Sequence, residues 1–336
     1  MKFIKKLVNI KPGEGKMVLT FFLFSFSMTA MMLIAKTAKD AYFLSRFEKS
    51  LLPLMFVGVA IVIAPILIYY SKLSKKLPPR VLLLITCSIF FISFIIVQPI
   101  MTGWVIPTVY IWIEIVGALM VIQFWGFASE SFEPQQAKRL FGIIGGGGSF
   151  AIMVIGMNLK PFVNAFGTDE LLYVSAGFLT FATLFGLMAI KYFKKTQVKK
   201  SITTSKPKKI KKKDPFIIGI GTIVVLSAIV TILVDYQFKI IASSSFPDES
   251  DLVGFFGTFY SIAGAASITM QFFVTGNVLS RFGILIGLLI LPLFLVAGSI
   301  SILLAPILMT ASFAKFSDQT FIFSNNNWLD YTSFFN

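Results

Sequence analysis

Nine long apolar stretches decide what this chain can fold into. They lie at about 17–36, 51–71, 81–101, 104–127, 141–159, 170–192, 216–242, 252–275 and 283–314. A helix rises 1.5 Å per residue and the hydrocarbon core of a bilayer is about 30 Å thick, so about 20 apolar residues cross it once. The last stretch holds Pro292 and Pro306 and is too long for one ordinary span. It reads as two short spans that meet near Ser299–Ser301, which brings the expectation to about ten. Composition agrees. Of 336 residues, 56% are hydrophobic and 13% charged, with mean hydropathy +0.85. A soluble domain carries about 25% charge, so a soluble enzyme, a disordered chain and a secreted disulfide module are excluded. The fold class is an all-α polytopic membrane protein.

Residue counts narrow the chemistry further. There is no His, and Cys87 is the single cysteine. A soft-metal site and His-based catalysis are therefore not expected, and no cofactor is implied. No Ser, His or metal constellation supports an intramembrane enzyme. The formal charge of +15 comes from 30 Lys and Arg against 15 acids. In a membrane protein such an excess marks cytoplasmic loops rather than a nucleic-acid surface. With the N-terminus inside, 24 of the 30 basic residues fall in cytoplasmic segments, Lys315 among them. Lys36, Lys39, Arg46, Lys49 and Lys160 fall on the outside, and Lys239 lies in or at the end of a span. The basic start before the first stretch resembles a signal peptide. Its apolar run is too long and its cleavage pattern too poor, so an uncleaved first span is expected.

The polar, basic segment 194–214 has no apolar face and reads as a solvated cytoplasmic linker beside anionic headgroups. It follows six spans. Six spans, a long basic loop and further spans is the layout of a major-facilitator-like transporter, with two packed halves. Residues 1–193 would form the six-helix N-terminal half. Residues 215–336 have room for about four helices and read as an incomplete second half.

Charges that enter the spans are the functional pointers, because an ionised group at mid-depth costs about 2.5–3.5 kcal/mol or more. Lys36, Lys39 and Asp40 share a helix face near the end of the first span, where snorkelling to the surface competes with a cavity role. Glu114 lies ten residues past Trp104, about 15 Å below the interface, with no charge near it in sequence. It needs a cation from another helix, with Lys39 or Lys239 expected. Asp235 and Lys239, at i and i+4, either neutralise each other or line a path. These six residues are the candidate substrate site.

Tyr110 and Trp125 suit packing or stacking on a planar base, and Trp104 suits an interface belt. The run FGIIGGGGSF at 141–150 lacks the Lys-Ser/Thr ending of a phosphate loop. Its small residues at Gly142/Gly146 and Gly145/Ser149 predict close helix contact. Lys138 and Arg139, just before it, are placed to attract and position an anion.

Glu114, the block Phe124-Trp125-Gly126-Phe127-Ala128, and Ala137-Lys138-Arg139 before a Gly-rich span resemble the plastid, rickettsial and chlamydial non-mitochondrial ATP/ADP translocases. Lys39-Asp40 is similar to that family's Lys-Asp near the end of its first span. Asp235-x-x-Phe238-Lys239 is similar to its Glu-x-x-Trp-Lys, with Asp for Glu and Phe for Trp, and Asp318 to Ser324 looks like the start of a later block. Residues 325–336 do not continue that block, so the chain reads as a C-terminally truncated member. The resemblance implies ATP:ADP antiport by alternating access, with nucleotide as the partner and Lys39, Glu114, Asp235 and Lys239 implicated. A cell (inner) membrane location fits. A non-transporting or degenerate membrane scaffold, or a carrier of another anionic solute, stays open as the alternative.

Overall fold

A computed structural model describes residues 10–192, 215–269 and 293–332. The helices are α1 Gly15–Arg46, α2 Leu52–Ser74, α3 Pro79–Val97, α4 Val105–Ser131, α5 Pro134–Phe166 and α6 Leu171–Ala189, followed by α7 Pro215–Ser245, α8 Glu249–Thr269, α9 Leu293–Leu304 and α10 Leu308–Thr332. Among the described residues, α1 to α6 and α8 are long and apolar enough to cross a membrane, which makes seven spans. The protein is an all-helical, multi-pass membrane protein. The expected linker at 194–214 and the start of the 283–314 stretch lie outside the described residues.

Long apolar runs with sharp stops explain the element boundaries. α5 opens on a capping box between Glu133 and Gln136 with Pro134 in its first turn, which satisfies amide groups that have no intrahelical partner. It closes on Gly167 at φ +91°, a conformation that favours glycine. This start lies seven residues before the apolar run, so Lys138 and Arg139 sit in the second turn of α5 and not ahead of it.

Two further boundaries differ from the sequence reading. α1 continues to Arg46, so Asp40 lies six residues, about 9 Å, inside the helix end. The 283–314 stretch breaks at Ala305–Ile307 and not at Ser299–Ser301. Ser301 donates its hydroxyl to the carbonyl of Ala297 within the helix and leaves the helix intact. Pro306 has no amide hydrogen and pushes Ala305 out of helical geometry.

α1 is the central element and packs against α4, α5, α6 and α8. Close approach of α5 to α1 occurs at Gly147 and Gly148. A Cβ on Gly147 would lie 2.5 Å from the Phe22 carbonyl oxygen, and one on Gly148 would lie 2.9 Å from Thr29 Oγ1. Gly142 and Gly145, which the spacing singled out, face open space. Phe21, Phe24, Phe124, Phe127 and Phe132 fill the α1–α4 seam; the rings of Phe21 and Phe132 meet edge-on at 5.0 Å. Further along, α5 and α8 touch backbone to backbone: a Cβ on Gly257 would lie 2.7 Å from the Gly156 carbonyl oxygen. α7 and α10 pack on each other and α10 also meets α8.

Candidate functional site

Parallel helix ends set the site. Asp40 is six residues before the end of α1, and Lys239 is six residues before the end of α7. Both therefore lie about 9 Å below the same end of the bundle. They meet there: Lys239 Nζ is 3.1 Å from Asp40 Oδ2.

That contact is the middle link of a continuous chain of alternating charges. Lys36 and Lys39 of α1 each lie 3.0 Å from an oxygen of Glu114 on α4. Lys39 also reaches Asp40 at 2.9 Å. Lys239 lies 2.8 Å from Asp235 Oδ2, and Lys315 of α10 lies 2.8 Å from Asp235 Oδ1. Lys315 reaches Asp318 at 3.4 Å, and Asp318 accepts a hydrogen bond from Thr231 at 3.0 Å. The order is Lys36, Glu114, Lys39, Asp40, Lys239, Asp235, Lys315, Asp318: four cations and four anions, with zero net charge.

Burial explains why the chain is closed. Lys39, Lys239 and Lys315 are each 6% exposed or less, whereas the Lys36 side chain is 40% exposed. A buried ion needs partners on every side, and removing one partner of a buried pair costs about 3–5 kcal/mol. Tyr110 of α4 supplies more. Lys39 Nζ sits 3.4 Å from its ring centroid, and Lys239 donates to its hydroxyl at 3.3 Å.

A second cluster lies about 9 Å further on, at the helix ends. Glu249, at the start of α8, accepts hydrogen bonds from Ser45 at 2.8 Å, from Arg46 at 2.8 and 3.0 Å, and from Thr168. Arg46 also reaches Asp169 at 3.4 Å, and Tyr42 donates to the Thr168 carbonyl at 2.6 Å. Lys160 and Asp251 lie 3.7 Å apart nearby. This cluster ties α1 and the α5–α6 turn to α8 and covers the chain of charges from that end.

The six sequence candidates thus fall into one network. Glu114 meets Lys36 and Lys39; its other expected partner, Lys239, is held by Asp40 and Asp235. Arg139 is not in the network. Its guanidinium grips both oxygens of Glu14, at 2.7 and 2.9 Å, at the far end of the bundle. Lys138 occupies the same turn of α5, away from the network. Trp125 packs edge-on against Phe124 and Phe141, 5.2 and 5.4 Å between centroids, and Tyr110 is taken up by the lysines.

Sequence reasoning missed Lys315, Asp318 and the Arg46–Glu249 cluster. Lys315 was expected in a cytoplasmic segment, yet α10 carries it into the bundle. The signal was present, since Lys315 and Asp318 are three apart in a region with few other charges.

Comparison with known proteins agrees with this architecture. The fold is similar to that of the nucleoside transporter NupG in a crystal structure, with a TM-score of 0.58 at 17% identity, over 93% of this chain and 88% of that one. This likeness concerns the major-facilitator fold alone. ADP,ATP carrier protein 1 of Chlamydia trachomatis serovar D is 23% identical over 354 residues, covering 87% of this chain and 66% of that protein. The chloroplastic ADP,ATP carrier protein 1 of Arabidopsis thaliana is 27% identical over 239 residues, 62% of this chain and 38% of that protein. ADP,ATP carrier protein 3 of Rickettsia bellii is 23% identical over 228 residues, 57% and 45% of the two chains. The chain therefore spans just under two thirds of the length of the chlamydial relative. The TLC ATP/ADP transporter family matches residues 97–324, a region that contains Glu114, Asp235, Lys239, Lys315 and Asp318. With more than half of its residues inside that match, the chain belongs to the TLC ATP/ADP transporter family, and it is a multi-pass membrane protein.

Proposed function

We propose that the protein exchanges ATP and ADP across a cell membrane by alternating access, and that the eight-charge chain is its nucleotide site. The observation that carries this reading is the unbroken alternation itself. Four buried or half-buried lysines are each held by carboxylates of the same protein, with no net charge left over. Such a set is stable when empty. It can open only for a ligand that brings equivalent negative charge, which a nucleotide polyphosphate does.

The mechanism follows from the links. Phosphate oxygens approaching Lys39 and Lys239 replace Asp40 and parts of Glu114 and Asp235. The Asp40–Lys239 bridge joins α1 to α7, so the ligand takes over one of the contacts between residues 1–193 and 215–336, acting as two halves joined by the 194–214 linker. An empty site re-forms the bridge and stays closed, and the lowest-cost return is with a second nucleotide bound. Obligatory exchange results, because a ligand shifts an equilibrium only by its differential affinity for the two states. The Arg46–Glu249 cluster closes the extracellular end, with the N-terminus in the cytoplasm. Tyr110 stays with the lysines and limits the room for the phosphates.

Cells expressing the chain and incubated with labelled ADP should accumulate label. They should release it only when unlabelled ATP or ADP is supplied outside. Release into nucleotide-free buffer at the same rate would refute exchange, and absence of any uptake would refute nucleotide transport and favour the scaffold reading.

A further inference from the structure

The last two links of the chain have a use that the nucleotide site alone does not require. Asp235 is shared: one oxygen holds Lys239 and the other holds Lys315, both at 2.8 Å. Lys315 is 6% exposed on α10 and keeps a second, longer contact to Asp318. Asp318 is itself anchored by Thr231.

We infer that Lys315 is a positioning residue that releases Lys239 to the substrate by staying behind on Asp235. This rests on the nucleotide-exchange reading above. When Lys239 turns from Asp235 and Asp40 to a phosphate oxygen, each carboxylate it leaves must keep a cation. Asp40 keeps Lys39, whose three N–H donors let it hold Asp40 and a phosphate oxygen together. Asp235 keeps Lys315, whose Nζ sits on the opposite carboxylate oxygen and need not move. Without Lys315, departure of Lys239 would leave Asp235 as an unpaired buried carboxylate. Lys239 would then remain clamped in place. The geometry at the other end is parallel: Lys36 stays on Glu114 when Lys39 leaves.

The consequence is specific to binding. Loss of Lys315 penalises the step in which Lys239 engages nucleotide, so Lys315→Gln should raise the apparent KM for nucleotide about tenfold or more while changing the rate at saturation far less. Lys315→Arg keeps a cation that can bridge Asp235 and Asp318 and should return KM to within about threefold of the unsubstituted chain. The double variant Lys315→Gln/Asp318→Asn removes one positive and one negative charge and keeps the balance of the set. If Lys315 served only to neutralise Asp318, this variant would exchange like the unsubstituted chain. The inference requires its KM to stay high.

The test is the KM and saturated rate of labelled ADP exchange for the unsubstituted chain and these three variants, with the amount of each in the membrane measured alongside. A KM defect in the double variant, rescued by Arg at position 315, supports the role. A double variant with unaltered KM, or an Arg variant as impaired as Gln, overturns it and leaves the exchange reading standing. Failure of the unsubstituted chain to exchange nucleotide overturns both.

Discussion

At the scale of single residues, redundancy along the charge chain decides what each substitution does. Removing Lys239 leaves Asp40 with Lys39 and Asp235 with Lys315. Lys239→Gln should therefore cost less than the about 3–5 kcal/mol of an isolated buried pair, and the variant should reach the membrane at close to normal amounts. Its nucleotide exchange should fall to background, measured per molecule in the membrane. A second residue effect lies outside the spans. The hydrogen bonds from Arg139 hold the Glu14 carboxyl below its ordinary value, helped by Gln136 and the Lys11 amide. Its folded pKa is depressed, so the stabilisation is present above the unfolded value of about 4.3 and is lost as pH falls below it. The thermal stability of Glu14→Gln should converge with that of the unsubstituted chain on acidification through this range and stay below it at pH 7. Much of the site was legible at this scale, because any charge inside an apolar run is costly and so conspicuous. Lys36, Lys39, Asp40, Glu114, Asp235 and Lys239 stood out for that reason. Lys315 did not, since it directly follows the apolar stretch and reads as the start of a cytoplasmic segment until the helix Leu308–Thr332 is seen to carry it into the bundle. Pairings were less legible still. Glu114 could be assigned a cation but not which one, because partner choice depends on how helices rotate against each other.

Among the elements, α5 and α8 approach most closely, along Gly156, Gly257, Ser261 and Gly264. Ser261 donates to the Met153 carbonyl at 2.8 Å, which fixes the register between them. Without side chains to interdigitate, the contact depends on backbone proximity, as small-residue seams between membrane helices do. Gly156→Val would force the helices apart at the Gly257 carbonyl, and overpacking of this kind costs about 1–3 kcal/mol or more. A drop of several degrees in the thermal unfolding of the detergent-solubilised protein is expected. Gly126, whose Cβ would meet nothing within 4 Å, provides the control, and Gly126→Ala should leave unfolding unchanged or slightly raised. Helix existence was readable from the length of the apolar runs. Helix ends were not, because α1 continues ten residues past Lys36 through charges that are satisfied by α4, α7, α8 and the α5–α6 turn. The Gly-rich run announced close packing, but which small residues make it depends on the faces that α5 turns to α1 and α8: of the expected pairs, Gly142 and Gly145 face open space and Ser149 lies buried against Gly264, while Gly147 and Gly148 meet α1.

For the whole molecule, two charge systems divide the labour at different depths. In the proposed exchange the neutral central chain receives the ligand, and the Arg46–Glu249 cluster closes one end above it. Glu249→Gln weakens every bond that the carboxylate accepts and should favour opening at that end. In a Cys87→Ser background, a cysteine at Ala41, fully buried just below the cluster, should react severalfold faster with a membrane-impermeant maleimide once Glu249→Gln is added. An unchanged labelling rate would show that the cluster is not a gate. In the proposed mechanism nucleotide displaces buried charge pairing, and shape alone does not open the site. Glu114→Gln tests it most directly, because it keeps the shape of the side chain and removes one anion from the middle of the Lys36–Glu114–Lys39 link. Exchange of labelled ADP against unlabelled ATP, per molecule in the membrane, should be abolished or crippled in a normally expressed Glu114→Gln protein. Exchange at the unsubstituted rate would contradict the account.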